Sequence, residues 1–315
     1  MNKNVIQFLK SISTFFLFSF IIYIVLVCVW GELVPKVLHK NLKYKIGSYG
    51  HMFTRINEVK RTENVDILFL GSSHSYRGFD TRIFKEAGFI TFNLGSGSQT
   101  PIQTEILLER YLDRLNPKMI IYEVYPITFV LDGVESSVDL IANDNNDSLT
   151  LNLALKQNNI KVYNTLIYAY YRELFDRNSG FKEALERDGD IYVSGGYVES
   201  EIKYFRHLNY EKQKWNLKDL QLKSFENILS KIKMRKINLL LVQAPITKSL
   251  YDSYSNNDFF DKRMREYGNY YNFNNFMQLD DSLFFYNKDH LNQSGVEKFN
   301  KELINILLRE NEKRY

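Results

Sequence analysis

Residues 11–30, SISTFFLFSFIIYIVLVCVW, carry no charge, no glycine and no proline. Only hydrocarbon or a protein core can solvate such a run. As a helix rising about 1.5 Å per residue it spans about 30 Å, the thickness of a bilayer core. A helix buried in a globular protein keeps a polar face, and here serine and threonine would have to supply it. A cleaved secretory signal has a shorter apolar stretch and an Ala-x-Ala-like site, and neither is found. The expectation is therefore one N-terminal transmembrane helix, with residues 1–30 as an uncleaved, single-pass anchor in the cell membrane that meets lipid through residues 11–30. Lys3 and Lys10 precede the run, and Lys36, Lys40, Lys43 and Lys45 follow it. The positive-inside rule thus does not fix the orientation, and it leans toward a cytoplasmic C-terminal domain.

The rest of the chain has the make-up of a folded domain. Of 315 residues, 44% are hydrophobic and 25% charged, which excludes low-complexity and disordered classes. The net charge of +4 is modest and the cations are scattered. The densest basic run, Lys231-Ile-Lys233-Met-Arg235-Lys236, falls where a helix should end, and the helix dipole favours cations there. No nucleic-acid partner is expected. The single cysteine, Cys28, lies inside the apolar run, so neither an intramolecular disulfide nor a cysteine metal site can form. His39, His51, His74, His207 and His290 are far apart and make no His-x-x-x-His pair. No metal and no cofactor is expected.

Residues 31–63 read as a juxtamembrane connector, and residues 64–315 as an α/β domain. Apolar runs rich in β-branched and aromatic residues predict strands at 65–70 (VDILFL), 89–94 (FITFNL), 119–124 (MIIYEV) and 237–242 (INLLLV), with a weaker fifth at 276–279 (FMQL). Helices fall between them. Thr100, Pro101 and Gln103 supply an N-cap, a first-turn proline and a capping-box partner. Asn216 can cap a second helix that runs to about Lys233, and Ser294 or Asn292 can open the last. Alternating strands and helices imply a parallel sheet with right-handed crossovers and a site at the carboxyl ends of the strands. The stretch from about 132 to 215 is too long for a crossover loop and reads as a helical insertion, rich in tyrosine, that could serve as a lid.

Three segments carry possible chemistry. The first strand runs into Gly71-Ser72-Ser73-His74-Ser75, a small-residue turn that can expose a hydroxyl and leave backbone N–H groups for an oxyanion. Such turns also bind phosphate, or only turn the chain. The second strand ends in Asn93-Leu94-Gly95-Ser96-Gly97-Ser98-Gln99-Thr100 at the same sheet edge. Near the end of the chain stands Asn287-Lys288-Asp289-His290-Leu291-Asn292, where His290 could be a base or a surface residue. A serine early and a histidine late is a workable order, since only spatial geometry matters. His74 is a rival base beside Ser73, and Arg77 could bind an anionic group or brace a loop.

Taken together these segments resemble the SGNH, or GDSL-like, hydrolases. ILFLGSS is similar to that family's first block, with Ser73 as nucleophile and Ser72 in the aspartate position. NLGSGSQT is similar to the second, placing Gly97 and Ser98 at the oxyanion loop. KDHLNQSG is similar to the last and makes His290 the base. The resemblance covers residues 65–126 and 237–307 and implies a flavodoxin-like three-layer sandwich with a five-stranded parallel sheet. Two positions depart from the pattern. Asn287 stands where the family has its acid; it can orient the imidazole through a hydrogen bond but cannot stabilise imidazolium by charge, so the site is either a Ser–His dyad with Asn287 as orienter or a triad completed by another carboxylate, Asp289 first, with Asp280 or Asp281 as further candidates. Tyr125 or Glu123 stands where an asparagine usually serves the oxyanion.

Membrane-anchored proteins of this kind resemble those of teichoic-acid D-alanylation and exopolysaccharide O-acetylation. The resemblance implies a bacterial serine esterase or O-acyltransferase, facing outward, acting on acyl esters of cell-envelope glycan, beside a multi-pass acyltransferase partner. Two other readings stand next to it: a protein with a decayed site that binds glycan or that partner, and a cytoplasm-facing lipid esterase.

Overall fold

A computed structural model describes residues 3–47, 49–206 and 208–312; His207 lies outside them. In chain order the helices are α1 Lys3–Leu33, α2 Met52–Val59, α3 Ser73–Gly78, α4 Thr81–Glu86, α5 Pro101–Leu115, α6 Ile127–Val130, α7 Val134–Asn143, α8 Ser148–Gln157, α9 Ile160–Leu174, α10 Asp219–Met234, α11 Lys248–Tyr251, α12 Asn257–Tyr267, α13 Asp281–Phe284 and α14 Gln293–Glu312. The strands are β1 Ile67–Leu70, β2 Thr91–Asn93, β3 Met119–Glu123, β4 Glu186–Arg187, β5 Asp190–Val193, β6 Tyr197–Ser200, β7 Asn238–Gln243 and β8 Tyr270–Asn272. The chain divides into two compact units, residues 1–46 with 137–181, and residues 47–136 with 182–315.

The larger unit is built on a five-stranded parallel sheet in the order β2-β1-β3-β7-β8. This is the doubly wound, flavodoxin-like order, with its switch point beside β1. Strands covered on both faces must be apolar at every position, and β1 is buried at all four. Ile67 and Phe69 turn to a core with Phe79 at the end of α3, Phe84 of α4, and Phe299, Leu303 and Leu307 of α14. On the other face Tyr122 meets Phe225 of α10, which packs along α5. The α5 capping box forms as the sequence dictates, with Thr100 and Gln103 exchanging hydrogen bonds and Pro101 in the first turn. Asn292 caps α14 by accepting from Gly295 N at 3.1 Å.

Three expectations need correction. The fifth strand is Tyr270–Asn272, and residues 276–279 form a turn and irregular chain. Leu241–Gln243 is paired by Tyr270–Asn272, and Phe276 folds back onto Phe273 with ring centroids 4.6 Å apart. Helix α10 begins at Asp219 after Lys218, because Trp215 N and O are held by the side chain of Asn256, which keeps Asn216 in extended chain. The insertion is helical through α7, α8 and α9, and then becomes an antiparallel meander, β4-β5-β6. The meander seals the exposed edge of β2, where Asn93 N donates to Gly195 O at 2.7 Å. Residues 31–63 also do more than connect: α2 buries Met52, Ile56 and Val59.

In the smaller unit, α1 is a 31-residue helix, apolar and long enough to cross a membrane. Helices α8 and α9 pack on each other, and α9 packs on α1. Val27, Leu42 and Tyr168 form its small core.

Candidate active site

Strand β1 delivers the first component. At its carboxyl end Gly71 has φ +138°, and a Cβ there would lie 2.9 Å from both Cβ and O of Glu123. Only glycine lets the turn pass that close. Ser72 then caps α3, its hydroxyl accepting from His74 N. Ser73 heads α3; the N–H groups of Ser75 and Tyr76 go to Ser72 O, which leaves the N–H of Ser73 to face a ligand. Asn93 fixes the turn from below. It accepts from Ser75 Oγ at 3.0 Å and from Gly95 N at 2.9 Å, and donates to Ser75 O at 2.9 Å.

The second component hangs from the loop before α14. An isolated bridge between Phe285 and Leu291 pinches residues 286–290 into a tight loop. Asn287 Oδ1 accepts from the N–H groups of Asp289 and His290 at 3.0 and 2.9 Å. Lys288 O accepts from Thr247 N and Oγ1 at 3.2 and 2.6 Å, which ties the loop to the N-cap of α11. No sequence pattern could have revealed this tie, because the atom it grips is a backbone carbonyl.

The two components meet. Ser73 Oγ lies 2.8 Å from His290 Nε2, although 217 positions separate them. His290 Nδ1 faces two acceptors, Asp289 Oδ1 at 3.0 Å and Asn287 Oδ1 at 3.1 Å. The Asn287 contact is the one with hydrogen-bond geometry, and Asp289 stands beside the same N–H as an ionised charge. Burial works to raise the Asp289 carboxyl. The close approach of His290 Nδ1 and the positive potential of His290, His74 and Lys288 outweigh it and hold the group far below the usual carboxylate range. Burial and the charge of the Asp289 carboxylate push the Tyr125 phenol well up.

The remaining expected residues fall in different places. His74 turns away from Ser73 and is buried, stacked on Tyr125 with centroids 4.0 Å apart and set 4.8 Å from the His290 ring. Its Nε2 has no partner. Desolvation and the neighbouring His290 push its pKa down to about 3, so it is a neutral wall. Tyr125 backs the histidines and the Asp289 carboxylate, away from the oxyanion role first considered for it. Arg77 is held by Asp190 at 2.6 Å and braces β5. Gly95 is the glycine of its loop that touches the Ser73 turn, since a Cβ there would meet Ser72 O at 2.8 Å. Gly97 is open, and Ser98 is exposed with φ +52°. Asp280 and Asp281 cap α13 and the start of α11, respectively.

Glu123, at the end of β3, is fully buried, with one oxygen 3.5 Å from Ala244 N and the other without a partner. Desolvation, partly offset by backbone N–H groups, pushes its pKa up to about 8. The site therefore contains two carboxyls of opposite state, Asp289 ionised and Glu123 protonated at neutral pH. Donor atoms of His74, Asp289 and His290 lie within 4.8 Å of one another and have the chemistry of a divalent-ion site. Both ring nitrogens of His290 are already engaged, by Ser73 and by Asp289 with Asn287.

No protein-family model matches the chain, and no curated protein does. Among solved structures the chain is similar to a Bacteroides fragilis protein named as an acylhydrolase, at 13% identity and TM-score 0.42, covering 83% of this chain and 99% of that one. It is also similar to a GDSL-like lipase from Bacteroides thetaiotaomicron, at 12% identity and TM-score 0.42, covering 85% and 100%.

Proposed function

We propose that the chain is a membrane-anchored serine esterase or O-acyltransferase that acts on acyl esters of cell-envelope glycan. The observation that carries this reading is the line Ser73 Oγ, His290 Nε2, His290 Nδ1, Asp289 Oδ1, with 2.8 and 3.0 Å contacts. Ser73 Oγ attacks the acyl carbon while its proton passes to His290 Nε2. The Asp289 carboxylate stabilises the imidazolium that results. The N–H at the head of α3 and the Gly95 loop stand beside the oxyanion that forms. His290 then protonates the departing alkoxide, leaving the acyl group on Ser73. Water or a sugar hydroxyl attacks that ester next and gives its proton to His290, which passes it to Ser73 Oγ as the acyl–oxygen bond breaks.

Asn287, in place of the family's acid, favours the second reading, a decayed binding protein. The 3.0 Å approach of Asp289 to Nδ1 supplies the charge that Asn287 lacks and weighs against it. The outward-facing placement rests on the resemblance to envelope proteins and on the apolar α1. Hydrolysis of p-nitrophenyl acetate and release of acyl groups from O-acylated envelope glycan test the chemistry. Both should vanish in Ser73→Ala; turnover unchanged in that variant excludes this mechanism. Protease added to intact spheroplasts should digest the C-terminal domain, and protection until lysis would place it inside.

A further inference from the structure

The smaller unit carries an apolar groove of about 610 Å³ between α1 and α9, walled by Ile24, Cys28, Val29 and Leu33 on one side and by Ile167, Tyr171, Leu174 and Phe175 on the other. Glu32 is its one charged lining residue. Helix α9 is apolar on two opposite faces. Val162, Leu166 and Ala169 are buried inside the unit. Ile160, Ile167, Tyr171 and Leu174 recur at helical spacing on the other side, and Leu174 is 80% exposed. Water is a poor solvent for that second face.

The length of α1 decides what covers it. Between Lys10 and Glu32 there is no charged residue. That uncharged run measures about 31 Å at 1.5 Å per residue, against about 30 Å of hydrocarbon, so a membrane uses all of it. Were the bilayer to end before Ile24, the remaining helix would supply only about 20 Å and leave about 10 Å of hydrocarbon unmatched. Ile24, Cys28 and Val29 therefore sit at acyl-chain depth, and so does the part of α9 held against them. That contact is fixed. The Tyr23 hydroxyl bonds to Asn164, and the Tyr168 hydroxyl donates to Glu32 Oε1 at 3.0 Å. A Cβ on Gly31 would lie 2.4 Å from the Tyr168 ring, so glycine is what admits the ring there. Arg172 stands 3.7 Å from Glu32, so the first charge past the run is paired where headgroups begin.

We infer that α9 is a monotopic collar: its second apolar face lies in the outer acyl-chain region beside α1, and the groove takes up the acyl chain of a bilayer lipid. This rests on the reading of α1 as a span, and it adds a second lipid-facing element to the anchor. It makes the smaller unit part of the membrane interface instead of a soluble lid.

The test uses the full chain with Cys28→Ser, a single cysteine at Leu174 labelled with bimane, and reconstitution in phosphatidylcholine vesicles. A nitroxide near the carboxyl end of the lipid acyl chain should quench this probe about twofold or more, and aqueous iodide should leave it bright. Quenching by iodide and not by lipid would overturn the collar. Insensitivity to both, with energy transfer between labelled copies, would mean that a second copy covers the face, and would overturn it too. A parallel probe at Leu17→Cys, in mid-span, should respond to a nitroxide at the chain midpoint. If it does not, the span itself fails and the collar with it; if it does, the Leu174 result judges the collar alone.

Discussion

The two loops that meet at the candidate site are held in different ways. The Ser73 turn is set by the core: Ser72, His74 and Ser75 are buried, and Asn93 ties Ser75 and Gly95 together beneath them. The His290 loop lies half-exposed and hangs from a few polar contacts, chiefly through Asn287 and the Lys288 carbonyl. The difference teaches where substitutions should register. Around Ser73 they should cost stability. Around His290 they should cost rate.

Among the residues that support Ser73 and His290, the largest effect should come from Asp289→Asn. It removes the charge that steadies the His290 imidazolium while an acceptor stays in place, so acylation should slow by about 10²–10⁴-fold with the fold retained. Stopped-flow labelling beside thermal unfolding checks both halves. A silent Asp289→Asn, with faster labelling in Asn287→Asp, would show that the site works as a Ser–His dyad.

Asn93→Ala should do the opposite. It strands the buried Ser75 hydroxyl and the Gly95 N–H, a cost of about 3 kcal/mol, or a fall of about 10 °C in the melting temperature. Retained stability would erase the contrast between the loops.

Two buried groups should give pH signatures of opposite sign. His74 has its folded pKa lowered to about 3 from 6.5, so the unfolded chain binds more protons between those values. The stability it contributes is full above about pH 6.5 and falls as pH drops toward 3. His74→Phe keeps a ring against Tyr125 and should blunt that loss. Glu123 is the reverse, raised to about 8 from 4.5, so stability falls as pH rises through that window. Glu123→Gln should therefore gain in melting temperature over the parent from pH 5 to pH 8.5. A difference independent of pH would mean that Glu123 is ionised in the fold.

The smallest effect is expected for Asn287→Asp. The new carboxylate accepts the same two N–H groups, and His290 already has Asp289, so labelling should change by less than about threefold.

Much of this was legible in the sequence for physical reasons. Buried parallel strands must be apolar throughout, which exposed β1, β2, β3 and β7 as short dense runs. The edge strand β8 escaped because Tyr270-Tyr271-Asn272 is polar, half-covered and shorter than the FMQL run beside it. The meander β4-β5-β6 escaped for a similar reason: its strands have two to four residues and are bounded by Gly189, Gly195 and Gly196, so a helical reading of the tyrosine-rich stretch ran past them. Ser73 and His290 stood out because each lies at the end of a recognisable element. The bracing of Arg77 by Asp190 could not be read, because the partner lies 113 positions away in the meander.

The central claim is that Ser73 is the nucleophile and His290 its base. It is tested most directly by reacting the full-length protein with a fluorophosphonate across pH 5 to 9 and locating the adduct by peptide mass spectrometry. A single adduct on Ser73 is predicted, lost in Ser73→Ala and slowed by about 10³-fold or more in His290→Ala. An adduct on another residue, or labelling of Ser73→Ala at the parent's rate, would contradict it.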